Sequence, residues 1–392
     1  MNIRKDELIV SRRIMLGYVA FYILMVTISI VATFQRGFLP DQVGGYPILE
    51  DEIFLYLKEY IYFTMYSAVL YVIFYTSFVL KVDFKIQQNK MYVDYIIAAA
   101  VLFHLYLLFL GYGSVIRDVQ LSNWIFVKLN SFLQPYFLIL IYLYINVQSK
   151  KNIYRTILML YIISAFISGF FMTLLFYIAP ILIIRNYEFF SKHFKKISLI
   201  FIVTIPLYRI LKYLYTVDFK FSNIENLEFK EIYIQSFVGI IDRFNFINNS
   251  SLYYKYSNYF TDLLSRSEFN PLYQSYSGNF FYKFLNSGAV QSINESATYI
   301  IYKNFESYSF FPVSTYFYFN VSLGFYLLIY LLVALLLSII LSIYLDNNRH
   351  LLLLTFIVFF IMGYAGWLWA LNNFIQALIV YALITKVSNF KW

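Results

Sequence analysis

The sequence predicts an all-α integral membrane protein with about ten transmembrane helices and one large external loop that contains amphipathic helices. Hydrophobic residues make up 61% of the 392 positions and charged residues 13%, whereas a soluble domain carries about 25% charged residues. Several apolar runs reach the roughly 20 residues that cross hydrocarbon as a helix. Lys and Arg are concentrated on one side of those runs. We therefore expect one integral membrane domain.

Charge and cysteine content exclude several classes of protein. The net charge is +9, but no Lys/Arg run has the length of a polybasic nucleic-acid patch, and the basic residues flank apolar segments. We expect no nucleic-acid partner. The chain has no cysteine, which excludes disulfides, cysteine-ligated zinc and a thiol nucleophile. The stretch MNIRKDELIVSRR precedes an apolar run without a small-residue cleavage site, so it predicts a first anchor rather than a cleaved signal.

Six apolar runs have the length of single spans: Ile14 to Phe34, Tyr60 to Leu80, Val93 to Leu110, Ser131 to Val147, Ile197 to Tyr215 and Phe319 to Leu345. Two further runs are longer, Tyr154 to Ile184 and His350 to Thr385. As one helix the first would be about 46 Å long, against a hydrocarbon layer of about 30 Å. We expect two hairpins, broken at Ser168-Gly169 and at Gly363 and Gly366. Each half is short, which leaves a re-entrant hairpin as an alternative to a full crossing.

The distribution of basic residues supports this topology. With the amino terminus inside, the predicted cytoplasmic segments contain Arg4, Lys5, Arg12, Arg13, Lys81, Lys85, Lys90, Lys150, Lys151, Arg155, Arg185, Lys192, Lys195, Lys196, Arg349, Lys386 and Lys391. The short external loops contain Arg36, Lys58, Arg117 and Lys128. Both termini are therefore predicted to be cytoplasmic. The chain divides into a transmembrane bundle (1-215), a large external loop (216-318) and carboxyl-terminal transmembrane helices (319-392).

The external loop contains the stretch GIIDRFNFINNSS, with an Asp-Arg pair among apolar residues. Two apolar stripes at helical spacing predict two amphipathic helices: Phe237, Ile240, Ile241 and Phe244, then Leu252, Tyr256, Tyr259, Phe260 and Leu263. Asp242 and Arg243 lie off the first stripe, so that helix fits the membrane surface. Arg243 has the bidentate geometry that suits a phosphate. The alternative is an arginine that extends to lipid headgroups.

Other polar residues are weaker candidates. Arg209 lies in the span that leads into the external loop, where it adds a cation to an anion site or extends to water. Arg117 lies beyond the third span, where it adds a second cation to that site or pairs with Asp118. His104, in the third span, is a candidate base or a structural histidine. The acidic run Glu50 to Glu52 is a candidate base or a solvated loop, and Arg266 has no distinguishing spacing. The zinc-helix, nucleophile-elbow, Walker and D-x-D motifs are absent, so no metal site or cofactor is predicted.

Three short patches resemble the O-antigen polymerases of the Wzy type. IIDRFNFIN, Ile240 to Asn248, is similar to the Arg-Phe-polar-Phe stretch of that family's large loop. FPVSTYFYFNVSLGFYLLIY is similar to the segment leading into the following span, with a glycine at Gly324. IISAFISGFFMTLL looks like the helix pair before the loop, although many members have Arg where this chain has Phe170. The number of spans and the single late loop also resemble the family.

The resemblance implies a fold, an enzyme class and partners. The fold is a GT-C-like multi-span architecture in the bacterial inner membrane. The activity is metal-independent glycosyl transfer that polymerises undecaprenyl-diphosphate-linked oligosaccharide repeat units, for O antigen in lipopolysaccharide or a related surface polysaccharide. Arg243, Arg117, Arg209 and Arg266 would bind the diphosphate, with Asp242 and His104 as further catalytic candidates. A chain-length regulator and a flippase are the protein partners that it implies.

Three other classes remain open at this stage. A flippase for lipid-linked saccharides is the first, although a hundred-residue loop without a repeat argues against it. An O-antigen ligase or a polyprenyl-phosphate-dependent glycosyltransferase is the second, and for the latter Glu50 to Glu52 would be the acid site. A channel or ion-coupled transporter is the third, and it predicts more charges in mid-span than Asp94 and His104 provide.

Overall fold

The computed structural model of the chain describes residues 3–36, 38–39, 46–47, 52–79, 90–110, 124–168, 173–193, 195–197, 258, 313–319, 321–346 and 349–387. The predicted span Ile197 to Tyr215 lies outside the described residues except for its first position. The predicted loop 216-318 is outside them apart from Asn258 and the six residues 313–318.

Helices make up nearly all of the described chain. They are α1 Ile3–Arg36, α2 Glu52–Val79, α3 Lys90–Phe109, α4 Trp124–Leu133, α5 Pro135–Ile145, α6 Asn152–Ser168, α7 Ala179–Arg185, α8 Val313–Phe319, α9 Val321–Leu345, α10 His350–Val358 and α11 Leu368–Val387. Two π-helical segments, Thr173–Ile178 and Phe359–Gly363, precede α7 and follow α10. The strands β1 Phe38–Leu39 and β2 Tyr46–Pro47 form a two-residue antiparallel pair.

Five of the described helices are long and apolar enough to cross a membrane. Their candidate spans are Ile9–Ala32, Ile53–Val79, Tyr92–Phe109, Val321–Leu345 and Leu368–Lys386. Many of their large apolar side chains face outward, such as Phe54 and Phe109, whose exposed fractions are 72% and 71%. A water-soluble bundle would bury such side chains, whereas lipid accepts them. The prediction of an all-helical protein of membrane type is confirmed at this level.

The predicted span Ser131 to Val147 is wrong as a single helix. The chain bends between α4 and α5 at Gln134, whose backbone is left-handed with φ 47°. Pro135 follows, lacks an N–H and disfavours right-handed helical geometry at the residue before it. Helix α4 also begins at Trp124, so Lys128 lies in a helix and not in a loop. Lys58 is also predicted to lie in a loop, but it lies in α2. That helix begins at Glu52 rather than at Tyr60.

The first predicted hairpin is confirmed. Helix α6 ends at Ser168, and the chain returns through Thr173–Ile178 to the end of α7 at Arg185. The Arg185 guanidinium lies 5.0 Å from the centroid of the Tyr154 ring, near the start of α6. It also donates to the carbonyl of Val147 at 3.2 Å. Since the beginning of α6 and the end of α7 meet, the chain reverses direction between them.

The second predicted hairpin, around MGYAGW, is confirmed as well. Helix α10 and its π-helical continuation rise along α2, and the chain turns at 364–366 into α11. Gly366 has φ 67°, a conformation that glycine adopts without a Cβ penalty. Gly363 packs so closely on α2 that an added Cβ would lie 2.4 Å from the Tyr66 hydroxyl oxygen. Gly366 therefore suits the backbone of the turn, and Gly363 allows close packing of the hairpin against Tyr66.

Tyrosine hydroxyls from other helices satisfy carbonyls in the two π-helical segments. Tyr18 and Tyr144 donate to the carbonyls of Phe176 and Tyr177, at 3.1 and 2.9 Å. Tyr66 donates to the carbonyl of Phe359 at 2.7 Å. In lipid an unsatisfied backbone group costs several kcal/mol, so irregular helix is stable where a neighbour supplies the missing bond. The Tyr66 bond, with contacts of α10 on α1, α2 and α5, joins the amino- and carboxyl-terminal units into one bundle.

Basic side chains mark one end of the bundle, which we term the basic end: Arg13, Lys151, Arg185 and Arg349. Arg349 has a left-handed backbone with φ 65°. Its guanidinium donates to the carbonyls of Ser77 and Phe78 in the last turn of α2. A cation there complements the negative end of the helix dipole. The other end of α2 is termed the opposite end.

Candidate functional site

A buried carboxylate lies near the opposite end of the bundle. Glu59 is on α2, about 27 Å along the helix from Ser77 at 1.5 Å per residue, and its exposed fraction is 1%. Burying an ionisable group away from water is costly unless hydrogen bonds compensate. An acidic residue inside an apolar helix is therefore a functional candidate by default.

Two hydroxyl groups from distant parts of the chain donate to Glu59. The Ser314 hydroxyl, on α8, lies 2.5 Å from Oε2. The Tyr364 hydroxyl, in the turn between the π-helical segment and α11, lies 3.1 Å from the same Oε2 and 3.1 Å from the backbone carbonyl of Glu59. Hydrogen bonds to a charged acceptor are stronger than those between neutral groups. The carboxylate therefore connects α2, α8 and the Tyr364 turn.

Backbone and packing contacts hold α8 in this position. The Val313 N–H donates to the carbonyl of Tyr364 at 3.0 Å. On the other side, Phe317 packs over Gly324 at the start of α9, where an added Cβ would lie 2.5 Å from the phenyl ring. The glycine at position 324, noted in the sequence, is thus needed for the close approach of α8 to α9. All but the last residue of helix α8 lie within the predicted external loop, at its carboxyl end.

The rest of α8 is also buried. Thr315 is fully buried, and its hydroxyl makes no hydrogen bond within the structure described. Tyr316 has an exposed fraction of 1%, and this burial raises the pKa of its phenol above the ordinary value. The phenol is therefore neutral at physiological pH. We term this group of buried residues the opposite-end site. It consists of Glu59, Val313, Ser314, Thr315 and Tyr364.

A second buried carboxylate lies at the basic end. Asp94, on α3, has an exposed fraction of 7% and forms an ion pair with Lys151 at 2.5 Å. The Tyr142 hydroxyl donates to its other oxygen at 2.7 Å. Lys151 lies in the loop between α5 and α6, so its ion pair with Asp94 ties that loop to α3. Asp94 therefore has a structural role.

His104 is the one predicted site residue that lies within the described ranges. It lies on α3 and is half-buried, and its ring packs edge-on against Tyr136 at 6.2 Å. The structure does not bring it to Glu59 through any described contact. Its aromatic packing fits the structural interpretation of this histidine.

The other predicted site residues lie outside the described residues: Arg117, Arg209, Asp242, Arg243 and Arg266. Of the acidic run, only Glu52 lies within α2. Among the described ranges, no group of three or more His, Cys, Asp or Glu could hold a metal ion. The roles assigned to the arginines therefore remain predictions.

The sequence did not point to Glu59, because the second span is predicted to begin one residue later, at Tyr60. A signal for it was present. Ile53 to Leu57 is apolar, so the helix can start before Lys58 and Glu59 and include both. Counting that turn as helix would have placed an acidic residue inside a span, which marks a functional candidate.

The fold and the site define a multi-helix protein of membrane type with a buried, hydroxyl-bonded carboxylate at one end. No protein-family model, curated protein or solved structure matches the chain.

Proposed function

We propose that the chain is a polysaccharide polymerase of the bacterial inner membrane. It would join undecaprenyl-diphosphate-linked oligosaccharide repeat units by glycosyl transfer on the external side, for O antigen or a related surface polysaccharide. The proposal includes about ten spans in a GT-C-like arrangement, with both termini in the cytoplasm.

The observation that carries the proposal is the position of α8. This helix contains the Val-Ser-Thr part of the FPVST patch that resembles the polymerases, and it forms the carboxyl end of the predicted external loop. The hydroxyl of Ser314 donates a hydrogen bond to Glu59 at the opposite end of the bundle. A polymerase with its chemistry on the external side needs that loop anchored over the membrane surface. A buried polar anchor at this end supports such an arrangement.

The chemistry follows from the substrate class. A hydroxyl of the acceptor repeat unit attacks the anomeric carbon of the donor glycan, and the bond to the diphosphate oxygen breaks. The diphosphate leaves with the electron pair, so the main demand on the protein is stabilisation of that charge. Arg243, with Arg117, Arg209 and Arg266, would supply the cations. The acceptor proton goes to a carboxylate or to His104.

A deletion strain tests the function directly. Loss of the lipopolysaccharide ladder, with a single-repeat band retained, is the expected result. Loss of the single-repeat band as well would instead indicate a flippase or a ligase. Complementation with Arg243→Ala is expected to leave the ladder absent, and Lys255→Ala, in the same predicted segment, serves as the matched control. Full polymer length with Arg243→Ala would remove the arginine from the site.

The topology has its own test because the chain lacks cysteine. A single cysteine at Ser251→Cys should react in intact cells with a maleimide that cannot cross the inner membrane. Ser191→Cys, an exposed position beyond α7, should react only after the cells are lysed. The reverse pattern would place the loop in the cytoplasm and exclude external chemistry.

A further inference from the structure

We infer that Glu59 is a positioning residue, which fastens α8 to the bundle and thereby fixes the carboxyl end of the predicted external loop. Its part in polymerisation rests on the proposed function, whereas the fastening itself does not.

The sequence separations show what this contact does. Ser314 and Tyr364 are 255 and 305 positions from Glu59, so one side chain joins three segments that no local turn could bring together. Closing so long a stretch of chain has an entropic cost that grows slowly with its length. A short buried polar contact is well suited to hold such a junction, because breaking it leaves a buried acceptor without its donors.

The contacts favour positioning over proton transfer. Both described hydroxyls donate to the same oxygen, Oε2, and the residue is almost fully buried. A proton acceptor must reach the substrate hydroxyl directly or through one water. A glutamine at this position retains a carbonyl oxygen that accepts both bonds, but it cannot take up a proton. Positioning therefore predicts that Glu59→Gln keeps function, and proton transfer predicts that it does not.

Helix α8 and the Tyr364 turn offer a direct readout of fastening. Val313 bonds to the backbone of Tyr364, the neighbour of Ala365. A Val313→Cys/Ala365→Cys pair in the otherwise cysteine-free chain can be oxidised in membrane vesicles with copper phenanthroline. The pair is placed in the wild-type, Glu59→Gln and Glu59→Leu backgrounds. Glu188→Gln, on an exposed carboxylate beyond α7, is the matched control.

The cross-linked fraction should be unchanged in Glu59→Gln and in the control, and the cross-linking rate should fall about tenfold in Glu59→Leu. Should Glu59→Leu fail to fold, Ser314→Ala gives the same test with one bond removed and a smaller fall in rate. Folding is checked by the elution profile of the detergent-extracted protein. Cross-linking that is equally fast in Glu59→Leu or Ser314→Ala overturns the inference.

The lipopolysaccharide ladder separates this inference from the proposed function. Without the cysteine pair, Glu59→Gln should complement the deletion strain, and Glu59→Leu should shorten or abolish the polymer. A folded, normally cross-linked Glu59→Gln protein that makes no polymer overturns positioning in favour of proton transfer. If deletion of the gene leaves the ladder intact while cross-linking follows the prediction, the polymerase proposal fails and the fastening stands.

Discussion

Two buried carboxylates of the bundle, Asp94 and Glu59, differ in how far along the chain their described partners lie. Asp94, at the basic end, has an ammonium group and a phenol within hydrogen-bond distance. The described partners of Glu59, at the opposite end, are two hydroxyls. The partners of Asp94 lie 57 and 48 positions away, whereas those of Glu59 lie more than 250 positions away in the chain.

This difference separates local support from long-range assembly. The Asp94 contacts hold adjacent helices of one unit together and include a cation. The Glu59 contacts join the first unit to the carboxyl end of the predicted loop and to the turn before α11. Removing one partner should therefore have local consequences at the basic end and consequences for assembly at the opposite end.

The largest effect expected at the basic end is that of Lys151→Met. It leaves Asp94 buried without its cation, and breaking a buried pair in this way costs about 3–5 kcal/mol. Since half of the lysine side chain is exposed, we expect the free energy of unfolding, measured in mixed detergent micelles, to fall by about 2 kcal/mol. Lys151→Arg should restore most of it. Wild-type stability in Lys151→Met would mean that the ion pair contributes nothing.

Gly363→Ala tests the close contact between the second hairpin and α2. The added Cβ would overlap the Tyr66 hydroxyl, and overpacking of this kind costs about 1–3 kcal/mol. Tyr66→Phe in the same chain removes the overlapping oxygen together with its bond to the Phe359 carbonyl, so the two changes should destabilise by less than the sum of their separate effects. The thermal midpoint of the detergent-extracted protein measures both. Additive effects of the two changes would show that the overlap is not the cause.

Tyr142→Phe removes one of the two described donors to Asp94 but leaves the ion pair. We expect destabilisation of about 1.5 kcal/mol, the lower end of the range for a hydrogen bond to a charged group, because the ion pair remains. Detergent unfolding of the single and double variants with Lys151→Met measures the coupling between the donors. A loss as large as that of Lys151→Met would mean that the phenol, and not the cation, is the main partner of Asp94.

The smallest effect is expected for Ser67→Ala. Its hydroxyl donates to the carbonyl of Phe63 within one turn of α2. We therefore expect the free energy of unfolding, measured in mixed detergent micelles, to change by about 0.5 kcal/mol or less. It is the reference for a buried polar residue that joins no distant segments. If Ser67→Ala lowered the free energy of unfolding as much as Ser314→Ala does, contacts within one helix and contacts between distant segments would not differ in their effect.

Apolar length and breaking residues predict the hairpins well. Ser168, Gly363 and Gly366 lie where the chain turns, because those runs are too long for one crossing and glycine permits the turn geometry. The bend at Gln134 was missed although Pro135 was visible. Uniform apolarity hides such a bend, and only the restriction that proline imposes on the residue before it marks the position.

The opposite-end site could not be assembled from the sequence. Glu59, Ser314 and Tyr364 share no spacing, and their meeting depends on how the second hairpin packs along α2. The glycine at 324 was visible as part of a family-like patch, but its reason, the Phe317 ring above it, requires the fold. Glu59 itself was within reach, since an acidic residue in an apolar helix needs no structure to be noticed.

Arg349 places an unusual constraint on the length of the chain. Its left-handed backbone ends the turn after α9, and its guanidinium closes the last carbonyls of α2. One side chain thus sets the register of α10 along α2, and through it the depth at which the Tyr364 turn meets Glu59. An insertion of one residue directly after Arg349 would shift that register at the far end of the bundle. The start of α10 should therefore tolerate sequence changes better than changes in length.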